Sequence, residues 1–232
     1  MNTLNKRKIR IVTSACFLDD RAAQDFLDWN KDVFETHDVE ITIVSDRMIE
    51  LKGDRVRCLK YPAKQDVFSI PRTINYGIRR VEEEGIVVKT DVDILFSSEL
   101  LEQIKEKVND GQGLIAICVD IDKPEYATRL DWNRLPKTSR REGRGACFAM
   151  TRHDWFRLKG YDERITGWGA DDEEMWRRAS KVINMIQTDR FPIYHIRHNE
   201  RKGLSHFPVR SEQNLKFAEK QDWNMENWGQ KL

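Results

Sequence analysis

Long apolar runs are missing from this sequence: the longest, residues 114–119, is six residues. A membrane helix needs about 20, so no spanning segment is expected. Lys6, Arg7 and Lys8 followed by apolar residues faintly imitate an export signal. However, Thr13 and Ser14 interrupt the run, and Asp19, Asp20 and Arg21 stand where small residues should mark a cleavage site. Residues from Lys8 onward read instead as a first strand. A charge of one sign is also missing: 40 Lys and Arg against 39 Asp and Glu leave a net charge of +1. That excludes a histone-like basic binder and an acidic disordered tail. Cysteine is scarce; Cys16, Cys58, Cys118 and Cys147 are too far apart for a zinc knuckle, and each lies in or beside an apolar run. Free thiols in a reducing compartment are expected. There is no internal repeat and no low-complexity stretch. The 232 residues suffice for one core without disulfide or metal staples and are short for two domains. What the chain has in surplus is tryptophan: seven, with Trp155, Trp168 and Trp176 crowded into one short segment.

Apolar periodicity predicts alternating strands and helices. Strands are expected at 8–16, 39–44, 55–61, 86–89, 114–119, 145–150 and 191–197. Helices are expected from Asp19 or Asp20 to about 36, over 69–84 with Pro71 in the first turn, over 99–108, 151–158, from Asp171 or Asp172 to about 186, and beyond Arg210 with Leu215, Ala218 and Trp223 inward. Such alternation, with continuously apolar strands, implies an α/β domain whose mostly parallel central sheet is flanked by helices on both faces. Ligands of such sheets sit beyond the carboxyl ends of the strands. Residues 120–144 read as a long polar surface excursion, of a length that is usually functional or mobile.

Three segments carry candidate chemistry. Asp91 and Asp93 follow a buried strand, and residues two apart in extended chain point the same way, so both carboxylates can face one ligand, such as Mg²⁺ or Mn²⁺. Asp120 and Asp122 form a second such pair, and spacing alone does not rank the two. Gly167-Trp168-Gly169 precedes four carboxylates, Asp171, Asp172, Glu173 and Glu174. Acidic residues favour helix starts through capping and the dipole, but that does not account for a tryptophan pushed outward between two glycines. An aromatic platform beside a carboxylate suits a sugar ring. His195 and His198 follow an apolar strand; three apart, they face opposite sides unless the chain bends. His153 and His206 read as structural.

Taken in order, these segments resemble the nucleotide-sugar-dependent glycosyltransferases of the GT-A fold, in particular the galactosyltransferase-like branch that includes β-1,4-galactosyltransferases and domains of bacterial glycan polymerases. The likeness rests on Asp91-Val92-Asp93, Lys159-Gly160-Tyr161-Asp162-Glu163, Gly167-Trp168-Gly169-Ala170-Asp171-Asp172 and His195-Ile196-Arg197-His198, with Pro71-Arg72-Thr73-Ile74-Asn75-Tyr76-Gly77 as the helix under the nucleotide. It spans roughly residues 8 to 203, and it selects Asp91/Asp93 over Asp120/Asp122. Two departures stand out. The family's Glu before the base is Asp171 here, and His195 replaces a Met of some relatives, which favours harder ions.

The resemblance implies one single-domain GT-A, Rossmann-like unit over 1–232, with a nucleotide-binding part (8–119), an acceptor and catalytic part (120–205) and a tail (206–232). It implies an inverting transferase acting from a nucleotide-diphosphate sugar, a UDP-sugar by the family's pattern, onto a glycan hydroxyl. Asp93 and His198, with His195, would hold Mn²⁺ or Mg²⁺. Arg72, Asp91 and Ser14 would seat the nucleotide, with Cys16 nearby; Trp168 and Gly169 would line the sugar; Asp172, beside Asp171, would be the catalytic base. A bare catalytic domain without a membrane stem is expected to meet its acceptor in the cytosol. Lys137, Arg140, Arg141 and Arg144, with Arg197, Arg201 and Lys202, raise a second acceptor, a hydroxymethylated DNA base, whose phosphate contacts would be salt-dependent. Asp and His around a divalent ion also suit a phosphodiesterase, against which the Gly-Trp-Gly segment counts. A silent sugar-binding module would not need every candidate catalytic group.

Overall fold

The computed structural model describes residues 7–16, 18, 20–62, 69–125, 140–167, 169–197, 212–220 and 222–230. The chain begins with β1 (Ile9–Ser14), α1 (Asp20–Thr36), β2 (Glu40–Ser45), β3 (Val56–Lys60) and α2 (Ile70–Ile78). β4 (Ile86–Thr90), β5 (Ile94–Leu95), α3 (Ser98–Lys107) and β6 (Gln112–Ile121) follow. The second half holds β7 (Arg140–Glu142), β8 (Phe148–Thr151), α4 (Arg152–Leu158), α5 (Asp171–Ala179), β9 (Asn184–Ile196) and α6 (Glu212–Lys220).

Among the described residues nine strands join one sheet in the order β3-β2-β1-β4-β8-β6-β9-β5, with β7 on β6. β3, β2, β1 and β4 run parallel, as expected. Beyond β4 the sheet is mixed: β8 is antiparallel to both β4 and β6, β9 is parallel to β6, and β5 and β7 are antiparallel to their neighbours. The sheet is therefore less parallel than its apolar runs implied, because a run covered on both faces carries no record of strand direction.

The two faces of β1 and β4 explain the core. Ile9, Ile11, Ile86 and Val88 pack with Phe26, Leu27 and Phe34 of α1 and Leu100, Leu101 and Ile104 of α3. Val12 and Val87 point the other way, onto Ile74 and Ile78 of α2, Trp155 and Leu158 of α4 and Met175 and Ala179 of α5. The tryptophan surplus is largely spent here: Trp155, Trp223 and Trp228 are buried in the second cluster. Trp155 Nε1 donates to the carbonyl of Val87 (3.0 Å) and Trp223 Nε1 to that of Lys159 (2.7 Å).

Several boundaries differ from expectation. α2 stops at Ile78 rather than Glu84, in tightened turns at Arg80 and Val81 before three consecutive glutamates. α5 stops at Ala179, and residues 184–186, expected as its last turn, open β9 instead. They pair with Gln112, Gly113 and Leu114 of β6, and a full strand ladder outweighs a helix's weak local preference. Leu215 is only half-buried, and Asn214 takes the inward position with Ala218. Among the described residues no helix is long and apolar enough to cross a membrane.

Candidate active site

β4 delivers the centre of the site. Lys89, its fourth residue, is 1% exposed. Its ammonium donates to the carbonyl of Gly145 (2.6 Å), to Asp91 Oδ1 (3.2 Å) and to Asp172 Oδ1 (3.4 Å). Burial opposes the charge, but Asp172 and Asp91 outweigh it and hold the lysine above its ordinary pKa. Sequence reading missed this residue; the available signal was a lysine inside an otherwise apolar strand. Tyr161 was missed as well: its hydroxyl donates to the same Asp172 oxygen (3.2 Å). Burial, then Asp172, push the phenol well above its usual range. Asp172 is thus fixed by two donors from separate elements.

Asp171 and Asp172 open α5 behind an unusual turn. Gly167, Gly169 and Ala170 all have positive φ, 71°, 81° and 76°. Glycine adopts that region freely; alanine does so rarely, and such strain clusters at functional sites. Trp168, between them, lies outside the described residues. Asn214 of α6 holds both sides of the turn, donating to the carbonyl of Thr166 (2.6 Å) and accepting from the Thr166 amide (3.3 Å), with a longer bond to the carbonyl of Gly169 (3.5 Å). Burial, then the Asp172 charge, raise the Asp171 pKa to about 7 from an ordinary 3.8. The folded state therefore keeps a proton that the unfolded chain releases. Stability from this group is fully present below about pH 4 and is lost as pH rises through 7. Asp171→Asn is expected to flatten the fall in unfolding free energy between pH 4 and 7, measured by urea titration; an unchanged slope would contradict the raised pKa.

Gly145 has a packing reason to be glycine. A Cβ there would lie 2.5 Å from Asp172 Oδ2 and 3.6 Å from Asp91 Oδ2. Gly145→Ala should displace the Asp172 carboxylate, lower stability by about 1–3 kcal/mol and lower turnover by roughly 10²-fold, the scale for an ångström of misplacement. Steady-state kinetics beside a thermal melt would check this; full turnover would mean that Asp172 tolerates the shift.

β9 runs between β6 and β5 and brings His195 to the same edge. Its Nδ1 lies 2.9 Å from Asp120 Oδ1 and its Nε2 3.6 Å from Asp93 Oδ2. Asp120, set aside in favour of Asp91/Asp93, is therefore a hydrogen-bond partner of His195, while Asp122 pairs with Arg197 at the exposed rim (3.3 Å). His198, the other expected metal ligand, lies outside the described residues. Among the described residues no group of three or more His, Cys, Asp or Glu is gathered as a complete metal site. Asp93 and His195 supply an oxygen and a nitrogen, a donor set that fits Mn²⁺ or Mg²⁺.

Asp91, Asp171, Asp172, Gly169 and His195 line one cleft of about 500 Å³, with Gly145, Arg144 and Glu142 on its walls. Ser14 and Arg72 are not among its lining residues. Ser14 is buried at the end of β1 and accepts from Thr73 Oγ1 (3.0 Å), and Arg72 Nε donates to the Glu163 carbonyl (3.0 Å). Both belong to the α2 side of the site, which is bound to the acidic loop. Asn75 Nδ2 donates to the Tyr161 carbonyl (2.9 Å) and Glu163 Oε1 (2.8 Å), and Asn75 Oδ1 accepts from the Tyr161 amide (2.8 Å). Cys16 is buried and its thiol pushed up to about 12 by burial, so it is a packing residue rather than a nucleophile. Of the basic cluster, Lys137, Arg201 and Lys202 lie outside the described residues, Arg144 pairs with Glu142 and stacks on Trp176, and Arg197 pairs with Asp122.

Residues 133–199 match the family model described as the N-terminal domain of galactosyltransferase. No curated protein matches the chain. Among solved structures, S. aureus TarS 1–349 in complex with UDP-GlcNAc aligns with a TM-score of 0.60 at 9% identity, over 94% of this chain and 68% of that one. A mutant of Drosophila β1,4-galactosyltransferase 7, in complex with manganese, UDP-Gal and xylobiose, aligns at 0.54 and 14% identity, over 95% and 81%. The mannosyltransferase of Pyrobaculum calidifontis, in complex with GDP-Man and Mn²⁺, aligns at 0.56 and 15% identity, over 85% and 59%, so this chain spans about three fifths of that enzyme.

Proposed function

We propose that this chain, which has the fold of the GT-A glycosyltransferases, moves a sugar from a nucleotide-diphosphate sugar to a hydroxyl of a glycan, with inversion. The family match and the fold support a glycosyltransferase. The observation that carries the reading is the single cleft in which Asp91, Asp171, Asp172 and His195 converge, at the strand ends where such sheets bind ligands. The neighbours' complexes with UDP-Gal, UDP-GlcNAc and GDP-Man, and with xylobiose, support the donor and acceptor classes.

In this account Asp172 accepts the proton of the acceptor hydroxyl as that oxygen bonds to the anomeric carbon and the bond to the diphosphate breaks on the opposite face. A general base must lie within hydrogen-bond reach of its proton, and Lys89 and Tyr161 fix Asp172 for that. Asp93 and His195, with His198, would hold Mn²⁺ or Mg²⁺, which when bound supplies charge neutralisation for the departing nucleoside diphosphate. Arg72, Asp91 and Ser14 seat the nucleotide, and Trp168 with Gly169 walls the sugar. Residues 8–119 serve the donor and 120–205 the acceptor, and in the tail from 206 Asn214 braces the turn between Thr166 and Gly169.

Four free cysteines, three of them buried, fit a reducing compartment and so a cytosolic acceptor. The family match and fold favour transfer over a phosphodiesterase, and the xylobiose complex of the Drosophila neighbour supports a glycan over DNA. The test is NMR of the product formed from an α-linked UDP-sugar with Mn²⁺ and a glycan acceptor. A β-linked product supports the reading; a retained α-linkage, or transfer only to hydroxymethylated DNA, overturns its inversion or its acceptor.

A further inference from the structure

We propose that Asp120 is a positioning residue for the metal site, holding the His195 ring in the tautomer and orientation that turn Nε2 toward Asp93. The inference rests on the metal-dependent reading above and extends it to a residue outside the Asp91/Asp93 motif.

The backbone places the three residues side by side. Asp120 and His195 are register partners in the parallel β6/β9 ladder, so their side chains leave the same face. On the other flank His195 is the partner of Ile94 in β5, and the Ile196 amide donates to the Asp93 carbonyl (2.9 Å). The Arg197 amide donates to the Ile121 carbonyl (2.7 Å), which locks the β6 side just past Asp120. His195 therefore lies between Asp120 on β6 and Asp93 just before β5.

The hydrogen bond then assigns the ring. A carboxylate only accepts, so at 2.9 Å from Asp120 Oδ1 it is Nδ1 that carries the proton. In the neutral imidazole Nε2 then bears the lone pair, and it faces Asp93 Oδ2 at 3.6 Å. That is too long for a hydrogen bond, and it leaves an imidazole nitrogen and a carboxylate oxygen facing each other, the two donors that would hold the ion. Asp120 bonds the nitrogen that the ion does not use, the arrangement in which a carboxylate fixes the tautomer of a metal-binding histidine and raises its basicity. Asp122, two residues on, is spent on Arg197 at the exposed rim, and provides a matched control.

The test is calorimetric titration of the full chain with MnCl₂, with and without UDP, beside electron paramagnetic resonance for nitrogen coupling to the bound Mn²⁺. Asp120→Ala should weaken Mn²⁺ binding 10- to 100-fold, the usual range for losing such a partner. Asp120→Asn, which keeps an acceptor oxygen but not the charge, should fall between; it also keeps the test available if Asp120→Ala does not fold. Asp122→Ala should stay within about twofold of the parent. The nitrogen coupling of the parent should lose the His195 contribution in His195→Ala, leaving at most that of His198, and Asp120→Ala placed on His195→Ala should cost no more than about twofold further. An equal loss in both backgrounds would make Asp120 a ligand in its own right, and an unchanged affinity would leave it outside the site; either overturns the proposal. Mn²⁺ binding by the parent chain with no loss in either Asp120 variant sinks this inference alone, whereas no Mn²⁺ binding by the parent chain sinks the metal reading with it.

Discussion

Asp172→Asn is expected to lower sugar transfer by about 10²–10⁴-fold, the range for losing a positioned general base, with donor affinity nearly unchanged. The amide keeps the size of the carboxylate and can still accept from Tyr161, but it cannot take the acceptor's proton. Asp171→Asn serves as the comparison: Asp171 lines the same cleft but lacks the paired anchors of Lys89 and Tyr161, so its loss should be smaller. Steady-state kinetics with a donor titration separate the two. A greater loss at Asp171 would transfer the base assignment to it, and its pKa near 7 makes that outcome chemically coherent. Unchanged turnover in both would remove the acidic helix start from the mechanism.

The largest effect on stability is expected from Lys89→Met. The methionine fills similar space but leaves Asp91 and Asp172 facing each other without the ammonium between them. Asp91 is already raised by burial and by its Asp93 and Asp172 neighbours, against Lys89. Removing one member of a fully buried charge set costs about 3–5 kcal/mol; because the Asp91 and Asp172 side chains are 43% and 30% exposed, solvent screening lowers the expected loss to roughly 2–3 kcal/mol, or several degrees in Tm for a chain of this size. The sign with pH follows from Asp91, whose carboxyl is raised: once it protonates it no longer needs the lysine, so the deficit should shrink as pH falls. Differential scanning calorimetry at pH 7.5 and pH 4.5 tests both parts. A Tm equal to the parent's at pH 7.5 would mean the carboxylates are held apart by something other than Lys89.

The first half of the molecule was legible because its local signals agree with its packing. The β-branched run that forms β2, the apolar run of β4 and the serine caps of α2 and α3 each point to one structure. Asp91, Asp171, Asp172 and His195, which line one cleft, could be singled out in the sequence for the same reason, since each lies at a strand end or opens a helix. Strands β5 and β7, of two and three residues, are too short to carry any period. The first part of β9 was hidden because Met185 and Ile186 continue the apolar spacing of α5, and only β6, distant in sequence, decides otherwise; its second half matches the strand expected at 191–197. Asp120 was set aside for a similar cause: its hydrogen bond is to a register partner 75 residues away. Lys89 was read as part of a strand, although a buried lysine is rarely tolerated without a partner.

The central claim is that this cleft binds a nucleotide sugar through a divalent ion. It is tested most directly by thermal shift against a panel of nucleotide sugars with Mn²⁺, with Mg²⁺ and with EDTA. A ligand at about 100 times its Kd stabilises by about 2.7 kcal/mol, a rise of several degrees. The account expects that rise for one donor, only with the ion present, and its loss in Asp93→Ala. A rise of equal size in EDTA, or none with any donor, would contradict it.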